Sequence, residues 1–142
     1  MKDFALSKHF SYFELTRTSV KGLQQRNRGM GLNFRAELET LAQDLLDPLR
    51  EAFRKPVIIH CGFRCLELNE ALGGSRFSQH LRGEAADFHI KDFDNEEDYR
   101  KALRWCYANL EFGQLIDERR TRNGVIVRWL HLSLPNAKHH KE

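Results

Sequence analysis

Two histidines and one aspartate are the residues of this sequence best suited to hold a metal ion. His80 precedes Asp87 by seven positions, and His131 lies much further along the chain. A catalytic zinc site uses three nitrogen or oxygen ligands and leaves one position open for water. Two imidazoles and one carboxylate meet that requirement, and this donor set suits zinc best among the common divalent metals. We therefore expect a Zn²⁺ site at His80, Asp87 and His131.

These ligands need a fold that brings a loop and two strands together. Residues 85–90 alternate in the way that predicts a strand with Asp87 and His89 on the same face. His131 lies in a second apolar run, residues 125–134, which also predicts a strand. His80 precedes the first of these strands and is expected in a loop.

The dipeptide Asn123-Gly124 predicts a two-residue hairpin turn, because both positions tolerate a positive φ angle. The turn would join a strand over 112–118 to the strand over 125–134. The sheet is therefore expected to contain antiparallel neighbours.

Counting outward from this turn gives the pairing of the two strands. Ile116 falls opposite His131, and Glu118 falls opposite Trp129. Directly paired residues share a face, so Glu118 is expected on the side of His131 and diagonal to it. A register slip of one residue would place Asp117 there instead.

Helical periodicity accounts for much of the remaining chain. Apolar positions recur at three- and four-residue steps over 34–53, where Pro48 should kink or divide the helix. A β-branched run at 57–59 predicts a strand, and a short helix over 66–72 should end at the glycines that follow. A last helix, capped by Asp94 or Asn95, should bury Tyr99, Leu103, Cys106, Tyr107 and Leu110.

The elements together predict an α+β fold in a single domain, residues 1–142, with a small antiparallel sheet and flanking helices. The core is expected over about 35–134. An N-terminal arm, 1–33, would hold a short helix or an extended segment followed by a loop, and a polar tail would occupy 135–142.

Composition narrows the class of protein. The 142 residues are 41% hydrophobic and 30% charged, which is typical of a folded domain. No run approaches the roughly 20 apolar residues that cross a bilayer, and the N-terminus lacks the apolar segment of a secretory signal. We expect a monomer made in the cytoplasm, with reduced cysteines because their number, three, is odd.

A nucleic-acid partner is not expected. The net charge is only +3, and the basic residues are spread out apart from Arg119, Arg120 and Arg122. Specific nucleic-acid binding normally needs a broader basic face. DNA binding is kept as a third hypothesis on this cluster alone.

Three motifs occur in a fixed order along the chain. Residues 78–87, SQHLRGEAAD, match S-x-H-x-x-G-x-A-x-D, and residues 129–131, WLH, match W-x-H. Upstream, residues 62–69, GFRCLELN, match G-[YF]-R-x-x-x-x-N. With these motifs the sequence resembles the M15-type zinc peptidases, which include the D-alanyl-D-alanine carboxypeptidases of subfamily A and phage endolysin peptidases.

The resemblance implies a Hedgehog/D,D-peptidase-like fold and a zinc-dependent enzyme that hydrolyses peptide bonds of peptidoglycan stem peptides or cross-links. It implies Glu118 as general base, through the strand motif Q-L-I-x-E, and Arg64 as a positive charge for an oxyanion or substrate carboxylate. Ser78 and Gln79 would shape the substrate-binding edge. A minimal domain without a signal also resembles a phage or prophage lysin, which acts on the cell wall after release.

Other interpretations stay open. Some branches of the family carry an acidic residue three positions before the last histidine, where this chain has Arg128. That departure favours a non-catalytic, zinc-containing module that binds cell wall or forms part of a virion. His89 could replace a ligand or support the ligands from behind, and His60, Cys61 and Cys65 could contribute to a structural zinc site.

Overall fold

The computed structural model describes residues 1–135. Its centre is one antiparallel sheet in the strand order β1-β2-β4-β3. Helices flank the sheet, so the predicted α+β fold in a single domain is confirmed. The polar tail predicted at 135–142 lies, from residue 136 onward, outside the described residues. The strands are β1 (Val57–Cys61), β2 (Ala85–Ile90), β3 (Leu115–Arg122) and β4 (Val125–Ser133).

Short helices occupy most of the chain between the strands. Asn95 caps the longest of them, since its side chain accepts a hydrogen bond from the backbone N–H of Asp98 at 2.9 Å. Two 3₁₀ turns lie at Leu32–Phe34 and Gln79–Arg82. The α-helices are α1 (Tyr12–Leu15), α2 (Gln24–Gly31), α3 (Arg35–Leu41), α4 (Asp47–Phe53), α5 (Leu66–Ala71) and α6 (Glu96–Asn109).

The helical region predicted over 34–53 is divided before Pro48, as expected. A π-helical segment, Ala42–Leu46, joins α3 to α4, and Pro48 lies in the first turn of α4. Proline has no N–H to donate to the preceding turn, so a change of helical spacing accommodates it. The buried stripe continues through this interruption and contains Leu38, Leu41, Leu45 and Leu49.

The hairpin predicted at Asn123-Gly124 is confirmed. Both residues have positive φ angles, 51° and 77°, as a two-residue turn between twisted strands requires. β3 pairs with β4 in the predicted register, with Glu118 opposite Trp129. Glu118 therefore lies on the same face of the sheet as His131.

The two faces of the sheet have different environments. Phe88, Leu130 and Leu132 are buried and belong to the hydrophobic core that includes residues of α3 and α4. Asp87 and His131 alternate with them and are directly paired across β2 and β4. The candidate ligands on these strands thus lie on the face opposite this core.

Part of the segment 1–33 packs into the core, whereas an arm was expected there. The backbone oxygen of Leu15 accepts a hydrogen bond from the N–H of Phe63 at 2.8 Å. Gly62 permits this approach, because a Cβ atom at that position would collide with the Leu15 backbone. The buried residues of this segment include Leu6, Phe10, Tyr12 and Leu15.

One residue predicted on the buried face of α6 is exposed instead. Tyr99, Ala102 and Cys106 are buried, whereas Tyr107 is 68% exposed. Successive residues turn by about 100° around a helix, so Tyr107 lies to one side of the stripe that Cys106 extends.

Candidate metal centre

His80 is held on a short turn between α5 and β2. The hydroxyl of Ser78 accepts a hydrogen bond from the His80 backbone N–H at 3.2 Å and begins the turn. Gly83 ends it with a φ angle of 67°, which favours glycine. The buried His80 ring lies with Nδ1 2.7 Å from the backbone oxygen of Gly62. Nε2 is thereby directed towards β2.

Asp87 lies between the two candidate histidine ligands. Its Oδ2 is 3.2 Å from His80 Nε2, and its Oδ1 is 2.8 Å from His131 Nδ1. One ligand atom from each residue lies within 4.8 Å of those of the other two. Ligands bonded to one tetrahedral zinc at about 2.0–2.2 Å are roughly 3–3.5 Å apart. The two distances to Asp87 are close to this spacing, and the two histidine nitrogens lie within 4.8 Å of each other.

Gln79 determines how the His131 ring presents its nitrogens. The amide oxygen of Gln79 is 2.8 Å from His131 Nε2, and both side chains are buried. An amide oxygen accepts and does not donate, so Nε2 carries the proton and Nδ1 offers its lone pair to the site. In the same way, His80 donates Nδ1–H to the Gly62 carbonyl and offers Nε2.

Three electron-pair donors therefore face one another. A neutral imidazole has one N–H, and each histidine already gives it to a carbonyl oxygen, while an ionised carboxylate has none to give. A second proton on one ring, or a metal cation placed among the three groups, removes this conflict. The donor chemistry of His80, Asp87 and His131 thus fits a divalent metal ion such as zinc.

The same arrangement shifts pKa values in the metal-free protein. Burial lowers the pKa of His80, but the Asp87 carboxylate and the Cys61 sulfur outweigh it and raise the pKa well above its usual value. In the metal-free protein this favours a second proton on the ring, and a metal ion at Nε2 would replace it. Burial raises the pKa of Asp87, but His80 and His131 outweigh it and hold the pKa far below its usual range. Asp87 is therefore an ionised carboxylate, the form that binds metal.

A comparison with protein families agrees with this donor set. A family model for peptidase M15 matches residues 8–121. The chain belongs to the peptidase M15 family. The resemblance predicted from the motifs is confirmed. Membership indicates a metallopeptidase that acts on a peptide, and peptidases of this family are generally zinc-dependent.

The family match includes two of the three candidate ligands of this M15 chain. His80 and Asp87 lie inside the matched residues, and His131 lies beyond them. No curated protein matches the chain. Within residues 1–135, no helix has both the length and the apolar character needed to span a membrane.

Arg64 of this M15 chain lies beside the candidate ligands, where the sequence predicted a positive charge. Its Nη2 is 3.8 Å from Asp87 Oδ2. Nε donates to Cys61 Sγ at 3.0 Å, and Nη1 donates to Asn69 Oδ1 at 3.3 Å. Its backbone N–H also donates to the His80 carbonyl at 3.0 Å. The structure therefore brings Arg64 to the metal centre.

Glu118 and Asp117, the two candidates for the general base, lie on opposite faces of β3. Glu118 shares the face of His131 and lies nearer the hairpin turn. Asp117 lies on the other face, with Oδ2 2.6 Å from Nη2 of Arg128. Arg128 also donates to Glu96 on α6 at 2.9 Å. Of the two acids, Glu118 is the one on the ligand face.

Ser78 and Gln79 lie behind the ligands rather than at an open edge of the site. Both side chains are fully buried. Ser78 caps the turn that carries His80, and Gln79 contacts His131. Their contacts support the ligands, whereas a substrate-binding role was predicted.

Sequence reasoning missed two groups that position the site. The backbone oxygen of Gly62 is the partner of His80 Nδ1. Asn69 accepts a hydrogen bond from Arg64 and donates one to the backbone oxygen of Ser75 at 2.9 Å. Both residues belong to the motif at 62–69. The motif was the available signal, although its glycine and asparagine were given no role.

The alternative metal site at His60, Cys61 and Cys65 is not formed. Within residues 1–135, His80, Asp87 and His131 are the one group of three or more histidine, cysteine or acidic residues close enough to share an ion.

Proposed function

We propose that this chain is a zinc-dependent peptidase that hydrolyses peptide bonds of bacterial peptidoglycan, in stem peptides or in cross-links. The activity is that of a D,D-carboxypeptidase or an endolysin-type endopeptidase. The close grouping of His80, Asp87 and His131 in a member of the peptidase M15 family carries the proposal. The substrate rests on the motif resemblance, because a fold and a metal site do not determine which bond is cut.

The place of action is part of the same proposal. The protein works as a monomer on the cell wall, after release from the cell that makes it, in the manner of a phage or prophage lysin. This part rests on the resemblance to endolysin peptidases.

His80, Asp87 and His131 would hold the ion, with His80 Nε2 and His131 Nδ1 as the imidazole nitrogens directed to Asp87. When bound, zinc supplies acidity to a water molecule and polarises the scissile carbonyl. The carbonyl of Gly62 and the amide of Gln79 keep each imidazole in the tautomer that binds metal.

Glu118 is the general base in this proposal. It takes a proton from the attacking water and passes it to the leaving amine. Its place diagonal to His131 supports this role, because diagonal neighbours on paired strands are about 7–8 Å apart, within reach of a long side chain. Asp117 is directed away from the ligands by its ion pair with Arg128.

Arg64 supplies a fixed positive charge for the developing oxyanion or for a substrate carboxylate. Cys61 and Asn69 hold its guanidinium beside Asp87. A guanidinium held in place needs little reorganisation to stabilise an anionic oxygen, which supports the proposed role.

The proposal is tested by incubating the purified chain with stem peptides and with cell walls. Hydrolysis should stop when a chelator is added and return when zinc is restored. A His80→Ala variant should stay inactive after zinc is restored. Stoichiometric zinc binding by the wild-type chain without cleavage of either substrate would overturn the proposal.

The base is tested by a matched pair of variants. Glu118→Gln should lower kcat by about 10²–10⁴-fold, the usual contribution of general base catalysis, and should leave bound zinc unchanged. Asp117→Asn loses an ion pair with Arg128 and should lose stability but keep kcat within the wild-type order of magnitude. The reverse pattern, with activity lost only in Asp117→Asn, would transfer the role to Asp117.

A non-catalytic wall-binding or virion module is the second candidate function, and Arg128 was the residue that favoured it. In the structure Arg128 packs on the far side of β4. Its guanidinium contacts Asp117 and Glu96 and lies 4.1 Å from the ring centre of Tyr99. These contacts give Arg128 a role in attaching α6 to the sheet, so its presence no longer favours the non-catalytic candidate.

A further inference from the structure

A second pair of histidines lies near the metal centre without being part of it. His60 is on β1 and His89 is on β2, and Nε2 of His60 is 2.5 Å from Nδ1 of His89. The ring centroids are 4.8 Å apart and the rings are inclined by 60°. His89 shares the strand face of Asp87, two positions away. Two imidazole nitrogens thus converge beside the candidate ligands.

An irregularity in β1 accounts for the contact. Ile58 pairs with His89 and Ile59 pairs with Phe88, but the next paired residue is Cys61, opposite Asp87. His60 is the residue left out of this ladder. A bulge of this kind redirects one side chain, and here that side chain contacts the ring of His89.

We propose that His60 and His89 form a second binding site for zinc or a similar divalent metal, weaker than the first. Zinc binds imidazole nitrogen at about 2.0–2.1 Å, so two nitrogens on one tetrahedral ion lie about 3.3 Å apart. The pair, at 2.5 Å, would have to open by only about 0.8 Å to reach that spacing. Rotation of the exposed His60 side chain supplies such a movement.

The pair is open to solvent on the side of His60. His60 is exposed and His89 is half-buried, so water can occupy the remaining coordination positions. With two protein ligands where the first site has three, the second site binds metal less tightly.

Equilibrium dialysis against zinc, with metal analysis of the protein, tests the proposal. The other variants are made in a background protein, which is the full chain with His139→Gln and His140→Gln. These two changes remove adjacent imidazoles that would compete for zinc. We expect two zinc ions per chain in the background at saturating zinc, and one in the variants that add His60→Gln or His89→Gln. Adding His9→Gln, at another surface histidine, should leave both ions bound.

Three dialysis results would each overturn the proposal. They are one zinc ion per chain in the background, a second ion retained in both pair variants, and loss of the tighter ion in the pair variants. A second readout guards against misfolding: imidazole NMR signals of His60 and His89 should shift with the second equivalent of zinc and not with the first. If these signals shifted with neither equivalent, the two rings would form only a hydrogen bond between β1 and β2 and would not bind metal.

A consequence for activity rests on the proposed function. Residues two apart on one strand lie about 7 Å apart, so an ion at the pair would lie beside a substrate bound at the metal centre. Excess zinc should therefore inhibit hydrolysis in the background more strongly than in the His89→Gln variant. Dialysis does not depend on activity, so failure of the second site and failure of the peptidase proposal are distinguishable.

Discussion

Two pairs of histidines lie close together on the sheet, but their rings are held in different ways. The His80 and His131 rings are buried, with centroids 5.3 Å apart, and each directs one nitrogen to a carbonyl oxygen and the other to Asp87. The rings of His60 and His89 contact each other and are more open to solvent. The comparison indicates that the affinity expected of a candidate metal site depends on the partners of its imidazoles more than on how close the imidazoles are.

The buried pair also has more need of a cation. Both rings are buried and direct a nitrogen to the Asp87 carboxylate, and interactions between charges are stronger in a buried site than in solvent. The exposed pair can satisfy its nitrogens with water. We therefore expect the first site to couple metal binding to stability and the second to do so only weakly.

Replacing His80 should give the largest effect, because it removes a proposed ligand from the buried pair. Zinc at 100 times its Kd adds about 2.7 kcal/mol to the free energy of unfolding of a protein that binds it only when folded. His80→Ala should lose this stabilisation, whereas His60→Gln should keep it. Thermal unfolding of each variant, metal-free and zinc-loaded, measures the difference.

The matched variants also give the contrary result a clear meaning. If zinc raised the unfolding temperature of His80→Ala as much as that of the wild type, the stabilising ion would not lie at the buried pair. If zinc failed to stabilise only His60→Gln, the pair His60 and His89 would be the site that binds zinc more tightly.

Replacing Gln79 should have the next largest effect and would sharpen the comparison. Gln79→Leu removes the oxygen that accepts from His131 Nε2, so the ring can take the other tautomer or rotate. Loss of such a supporting hydrogen bond typically weakens metal binding by about 10–100-fold. Gln79→Glu keeps an acceptor at the same position and should bind zinc within the wild-type order of magnitude. Chelator competition measures these affinities.

A result at Gln79 can also contradict the interpretation. Equal zinc affinity in Gln79→Leu and the wild type would show that strand pairing alone orients His131. Loss of hydrolysis in Gln79→Leu with full zinc affinity would return Gln79 to the substrate-binding role that the motif resemblance implied.

Local sequence signals predicted the strand part of the site. The Asn123-Gly124 turn determines the register of β3 and β4 because a two-residue loop leaves one pairing for the strands it joins. That register places Glu118 on the face of His131, as predicted. Alternation along β2 likewise placed Asp87 and His89 on one face.

The groups that hold the site together could not be predicted in the same way. The Gly62 carbonyl is backbone, and its contact with His80 depends on how β1 lies against a turn 18 residues later. The packing of the N-terminal segment is also non-local, although Ser11 and Glu14 carry the capping-box spacing that begins α1. A cap predicts that a helix starts, but it does not predict what the helix packs against.

Replacing His89 should have the smallest effect on folding. A hydrogen bond contributes about 0.5–1.5 kcal/mol net to stability, and one between partly exposed rings should lie at or below the lower end. We therefore expect metal-free His89→Gln to lose less than about 1 kcal/mol of unfolding free energy. Urea denaturation measures this loss, and His9→Gln serves as the control at a histidine outside both pairs. A larger loss would mean that the contact between the two rings stabilises the pairing of β1 and β2. Separating the rings around a metal ion would then cost that free energy and weaken metal binding at the second site.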